Sequence, residues 1–193
     1  LGTSQKEDVL IFGGTPEEKN RYTDAYVTDD QRFLVIFGAD ATSGNKLFIK
    51  DLKDPKAPLV TILNDYSSDT SVIDVKGDKL YLFTNLNAPN GKVVVTDVKN
   101  PTPEHWTDLI PESENVLDIT TAGGYILAKY TVAALTEVKQ YDFSGKFIRD
   151  IKLPSIGVAG GFSSKDDQKD TYFWFTNTCT PTSIYKLNLE SGE

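Results

Sequence analysis

The chain has 193 residues, of which 39% are apolar, 25% charged and 11% aromatic, the balance of a folded globular protein of one domain or two small ones. Its net charge of −8 and pI near 4.7 exclude a partner held through phosphates, which needs clustered Lys and Arg. No apolar run approaches the roughly 18 residues of a membrane span, no N-terminal segment has the pattern of a signal peptide, and the lone Cys179 excludes an intrachain disulfide framework.

In chain order, residues 9–12 read as the last strand of a preceding unit. A first group of strands follows at 24–28, 32–37, 46–52 and 59–63. A second lies at 71–75, 79–86, 92–98 and 106–110, and a third at 116–120, 125–130, 137–143 and 147–153. A fourth group, at 158–163, 171–176 and 184–189, lacks its last strand. Gly and Asp mark the first turn of most groups, Pro55, Pro58, Pro101 and Pro103 sit in third turns, and no amphipathic helix is evident.

The groups repeat one another. "NKLFIKDLKDP", "GKVVVTDVKNP", "TEVKQYDFSGK" and "TSIYKLNLESG" share an alternating strand that ends in an acid or amide, then one apolar residue, then a turn. Matching Asp51, Asp97, Asp142 and Asn188 gives steps of 46, 45 and 46 residues, and matching Phe33, Leu80, Ile126 and Tyr172 gives 47, 46 and 46. Four-stranded units of about 45 residues, repeated, are blades of a β-propeller. A β-sandwich is the alternative for so many short strands, but it gives no reason for so regular a period. The units are expected near 20–65, 66–112, 113–154 and 155–193, with 1–13 as the tail of an earlier one. The chain has no methionine and stops where a strand is due, the pattern expected of a segment of a longer protein.

Antiparallel order sorts the loops onto two faces. Loops joining a unit's fourth strand to the next unit's first share a face with those joining second to third strands. These are 13–22, 38–45, 64–70, 86–91, 111–115, 131–136, 154–157 and 177–182. They are longer and more varied than the opposite turns, so this is the candidate functional face.

Catalytic chemistry is hard to assemble from these residues. A Ser-His-acid triad needs a histidine, and the only one, His105, lies in a turn of the opposite face. "GFSSK" at 161–165 lacks the closing glycine of a nucleophile elbow and reads as strand and turn. Cys179 has no histidine nearby and reads as an inert, partly buried thiol. One His and one Cys cannot make a zinc site, and Asp29-Asp30 and Asp166-Asp167 read as solvated turn acids rather than calcium ligands. No catalytic residue, metal or cofactor is expected.

Several segments, taken in order, resemble the propeller domain of the prolyl oligopeptidase family: "LGTSQKEDVLIF", "VTDDQRFLVIFGADATSGNKLFIKDL", "LYLFTNLNAPNGKVVVTDVKNPTPEHWTDLIPE" and "YFWFTNTCTPTSIYKLNL". The likeness runs collinearly from residue 1 to about 190. It implies roughly the last four blades of a seven-bladed propeller, in a serine peptidase that cleaves short peptides after proline. There the propeller caps an α/β-hydrolase domain and restricts access to the active-site cavity. The resemblance places three substrate-cavity positions at Tyr22, Ala39 and Thr42, where mammalian members have a methionine, an arginine nearby and a cysteine. Tyr22 offers an aromatic wall, whereas Ala39 cannot supply the arginine's charge.

The expected partners are that hydrolase domain and short proline-containing peptides, with no nucleic acid and no membrane, and a dimer through exposed blade edges. A soluble location is expected, with cytoplasm and periplasm both open. The alternative is a free-standing propeller that binds carbohydrate or protein.

Overall fold

The computed structural model describes residues 2 and 4–193. It contains fifteen described strands and three single-turn 3-10 segments, Gln5–Glu7, Pro16–Glu18 and Pro103–His105. β1 (Tyr22–Val27), β2 (Phe33–Ala39), β3 (Lys46–Asp51) and β4 (Val60–Leu63) form one antiparallel sheet in sequence order. β5 (Thr70–Lys76), β6 (Lys79–Thr84), β7 (Lys92–Asp97) and β8 (Thr107–Ile110) form the second. β9 (Val116–Ala122), β10 (Tyr125–Val132), β11 (Leu135–Tyr141) and β12 (Phe147–Ile151) form the third. β13 (Val158–Gly161), β14 (Asp170–Thr176) and β15 (Ser183–Asn188) form a three-stranded fourth. This is the all-β, blade-like architecture that the repeat implies.

Two compact units divide the chain, Leu1–Thr70 and Ser71–Glu193. The first is built on Phe33, Val35, Ile36, Leu47, Ile49 and Ile62, each no more than 3% exposed. In the second, successive sheets stack face to face. One side of the third sheet, through Ile126, Ala128 and Tyr130, meets Val93 and Ile110 of the second sheet. Its other side, through Leu127, Val138 and Ile151, meets Phe173, Phe175 and Leu187 of the fourth and Phe162 from the loop after β13. A strand buried on both sides has no polar face to spend, which is why β6 and β10 read as nearly continuous apolar runs.

The recurring acid or amide has a local cause. Asp51 Oδ1 accepts the amide of Lys53 at 2.8 Å, Asp97 that of Lys99 at 2.8 Å and Asp142 that of Ser144 at 2.8 Å. Asn188 Oδ1 does the same for Glu190 at 3.1 Å. Each side chain thus caps the turn after the third strand, a task that Asp and Asn perform best.

Among the described residues, 9–12 meet no partner strand; Val9 and Leu10 are exposed, and Phe12 rests its ring on Phe48 at 4.9 Å. Their place as the last strand of an earlier unit stays a proposal. Expectations for residues 1 and 3 lie outside the described residues. The matching of second strands needs correction. Leu80 pairs with Thr96 and Ile126 with Tyr141, one residue before the strand-end acid. Phe33 instead pairs with Asp51 itself, and Tyr172 with Lys186, two before Asn188. The counterparts of Leu80 and Ile126 are therefore Leu34 and Thr171. One residue of slip exchanges the two faces of a strand.

Candidate functional site

In the first unit the candidate face is a knitted group of three loops. Residues 13–22 fold on themselves, with Glu18 Oε2 accepting the amides of Gly13 at 3.1 Å and Gly14 at 3.0 Å. The loop between β2 and β3 joins them through Asp40 Oδ1, which accepts the Arg21 amide at 2.8 Å. The loop after β4 joins through Tyr66, whose hydroxyl donates to Asn20 Oδ1 at 2.7 Å. Asp69 Oδ1 accepts the Gly44 amide at 2.7 Å, and Lys46 Nζ donates to Glu17 O at 3.0 Å. Gly44 has φ +77°, and a Cβ there would stand 2.0 Å from Tyr66 O, so glycine is what permits the approach. Partial burial and the Asp40 carboxylate hold the Tyr66 phenol above its usual range.

Tyr22 and Ala39, two of the three residues singled out from the sequence, are direct cross-strand partners at the loop end of β1 and β2. Tyr22 is 56% exposed. Thr42 lies three residues beyond Ala39, exposed at the loop tip. Asp40 stands beside Ala39, with Arg21 opposite it across the strand pair, so charge of both signs flanks the position where the resemblance expects an arginine. Asn20, Asp40, Tyr66 and Asp69 escaped the sequence reading because their partners lie 19 to 46 residues away.

In the second unit, the loops between second and third strands and between third and fourth sheets frame an apolar groove of about 590 Å³, lined by Ala134, Leu135, Ile156, Val158 and residues 176–178. Leu135 is 39%, Ile156 75% and Val158 40% exposed. The two-residue turn at its edge, Ala133-Ala134, has φ of 48° and 65°. That hairpin turn needs positive φ at both positions and ordinarily recruits Asn and Gly. Alanine there is strained, by roughly 1–2 kcal/mol per residue.

Among the described residues, the titratable side chains singled out from the sequence lie apart from one another. His105 closes an exposed single turn, with Nδ1 3.2 Å from Thr102 Oγ1 and 3.9 Å from Glu104. Asp30 is committed to the Thr28 hydroxyl at 2.6 Å and the Arg32 amide at 3.0 Å. Cys179 departs from the sequence reading, being exposed rather than partly buried. Asn177 Oδ1 accepts the amides of Cys179 at 2.9 Å and Thr180 at 2.8 Å, making a tight turn that sets the thiol on its outside. Among the described residues no three His, Cys, Asp or Glu side chains gather as metal ligands, and no helix is long and apolar enough to cross a membrane.

The family model for the N-terminal β-propeller domain of prolyl oligopeptidase matches residues 1–193. The chain is 48% identical over 192 residues to the prolyl endopeptidase of Elizabethkingia meningoseptica and 45% identical over 193 residues to that of Elizabethkingia miricola. In both cases 100% of this chain and 27% of the relative are covered, so the chain spans about a quarter of these relatives' length. A solved structure from a study of two prolyl endopeptidases and their inter-domain dynamics superposes with a TM-score of 0.86 at 23% identity, over 100% of this chain and 28% of that one. Prolyl oligopeptidase B of Galerina marginata, bound to a 35-residue substrate, superposes with a TM-score of 0.84 at 24% identity, over 98% of this chain and 27% of that one. At such identity the superpositions establish the fold. With the family match over all 193 residues, they lead to one assignment: the chain belongs to the prolyl oligopeptidase family, as part of its N-terminal β-propeller domain.

Proposed function

We propose that this chain is the non-catalytic propeller segment of a serine peptidase that cleaves short peptides after proline. Its loop face adjoins the catalytic domain of a longer protein and helps to wall and gate the active-site cavity. The observation that carries the reading is the family match across the whole chain. The three knitted loops around Tyr22 and Ala39 support it, being a rigid platform on the side where the cavity would lie. Tyr22 supplies an aromatic wall for a proline ring. With alanine at position 39, Arg21 is the nearby residue able to meet a peptide carbonyl or carboxylate. The exposed groove of Leu135, Ile156 and Val158, among the corresponding loops of the second unit, offers an apolar rest for the catalytic domain.

The test uses a protein of the relatives' full length that carries this segment. Asp40→Lys with Asp69→Lys should lower turnover of a proline-containing chromogenic peptide severalfold, whereas Asp29→Lys with Asp30→Lys should leave it within twofold. Equal loss from the two pairs, with both variants folded, would refute the assignment of faces.

We further propose that the isolated chain self-associates through the outward side of its fourth sheet. Tyr172 is 61%, Trp174 37% and Ile184 69% exposed there, and β15 is an edge strand with no further partner among the described residues. The matching side of the third sheet is covered by its neighbour. An apolar sheet face beside an open edge favours pairing with a second copy.

A further inference from the structure

In the second unit, the turns from first to second strand differ sharply in length. β5 and β6 are joined at Gly77-Asp78, and β9 and β10 at Gly123-Gly124, but β13 and β14 are joined by residues 162–169. This longer loop lies on the neighbouring turn. The Gly123 amide donates to Lys165 O at 3.3 Å, and the Ser164 amide to Thr121 O at 3.3 Å. A Cβ on Gly123 would fall 2.4 Å from Gln168 O and 2.5 Å from Leu189 Cδ1, so only glycine lets the loop rest there. Crossing the third sheet's turn, the loop carries Asp166 to Lys76, at the end of β5 in the second sheet.

Lys76 is prepared for that contact. Its ammonium also pairs with Asp74 at 2.8 Å and stands over the Phe143 ring, 4.7 Å from its centroid. The Tyr81 hydroxyl donates to Phe143 O at 3.1 Å, and the two rings meet edge to face at 4.9 Å. The loop bridges the second and fourth sheets at the turn end of their first strands, where the three sheets converge. The Lys76–Asp166 contact therefore marks the convergent end of this unit, where a propeller's blades surround the axial channel.

The loop has firm ends and an exposed middle. At its start, Phe162 takes a left-handed φ of 67°, rare for a bulky side chain. Its ring, 1% exposed and stacked on Phe173 at 4.7 Å, holds it there. At its end, Asp170 receives Lys186 at 3.0 Å and Asn188 at 2.9 Å, and Lys169 O receives the Leu189 amide at 2.8 Å. Between these anchors, residues 165–169 are exposed.

We propose that residues 162–169 form a strap across the convergent end of Ser71–Glu193, latched by Lys76 on Asp166, and that releasing the latch lets the first strands β5 and β13 spread. The strap lies on the face opposite the candidate functional face and rests on the propeller fold alone, so it stands or falls separately from the peptidase reading.

Hydrogen exchange on the 193-residue chain tests it. In Asp166→Asn and in Lys76→Met, peptides covering 121–125 and 162–169 should exchange about two- to fivefold faster, the range a partly exposed ion pair allows. Peptides covering β7 should be unchanged, and Asp167→Asn, at the neighbouring exposed acid, should alter nothing. If Lys76→Met loosens the whole chain, Asp166→Asn, a same-shape change at an exposed side chain, decides alone. Spin labels at Lys79→Cys and Lys169→Cys, in a Cys179→Ser background, should move to longer distances when Asp166→Asn is added. Unchanged exchange and distance in Asp166→Asn, or an equal change in Asp167→Asn, would overturn the proposal.

Discussion

Asp142 shows how much a single side chain contributes to a blade. Its Oδ1 takes the Ser144 amide at 2.8 Å, the Ser144 hydroxyl at 2.5 Å and the Lys146 amide at 3.1 Å. Asp142→Ala should therefore cost about 1 kcal/mol in chemical denaturation, the low end for charge-assisted bonds because solvent reaches them. Asp142→Asn should cost much less, since Asn188 performs the same task in the fourth sheet. Equal losses would mean that the charge, not the turn geometry, carries the effect.

The turn acids also fix the response to acid. The Lys53 amide holds the Asp51 carboxyl below its ordinary 3.8, as the Ser67 hydroxyl does for Asp65 and the Ser144 hydroxyl for Asp142. A folded-state pKa below the unfolded value gives stability that is complete above 3.8 and lost as pH falls through the folded values. Asp74 acts in the opposite sense. Burial raises its pKa, so its contribution is present at low pH and fades as pH rises past 3.8. Asp30, Glu104 and Asp170 are lowered as well, six carboxyls against one among the described residues, so the thermal midpoint should fall below pH 4, and Asp74→Asn should steepen that fall.

At the scale of elements, strand positions were legible because alternation and turn residues recur with one period. Every strand from β1 to β15 lies within two residues of its sequence-derived place. The face of β14 was not legible. In "TYFWFT" both alternating sets are apolar, so periodicity marks a strand without saying which set is buried. The structure buries Thr171, Phe173 and Phe175 and exposes Tyr172 and Trp174. Phe173→Ala should cost about 3–5 kcal/mol, the usual loss for a buried phenylalanine, whereas Tyr172→Thr should change the fold's stability little. The loop contacts around Tyr22 were equally hidden, since no local pattern ties Asn20 to Tyr66 or Gly44 to Asp69.

The hairpin of β10 and β11 belongs to the same scale. Its Ala133-Ala134 turn holds strain beside the apolar groove. Ala134→Gly should stabilise the chain by about 1 kcal/mol in urea denaturation, by relieving the left-handed alanine. A destabilising result would show that the alanine methyl packs usefully against the groove.

For the whole molecule, self-association and activity are separable. Light scattering after size exclusion should find the isolated chain above the 21.3 kDa of a monomer at micromolar concentration. Tyr172→Thr with Ile184→Thr should return it to monomer; a stable monomer without them would remove the dimer proposal.

On the proposed reading, the catalytic serine belongs to another part of a longer protein and this segment shapes access to it. A serine-directed phosphonate probe, used alongside a proline-containing chromogenic peptide, tests it most directly. Labelling and turnover are expected for a full-length protein carrying this segment, and neither for the purified 193-residue chain. Covalent labelling of any serine within residues 1–193, with turnover that follows the pure chain, would contradict it.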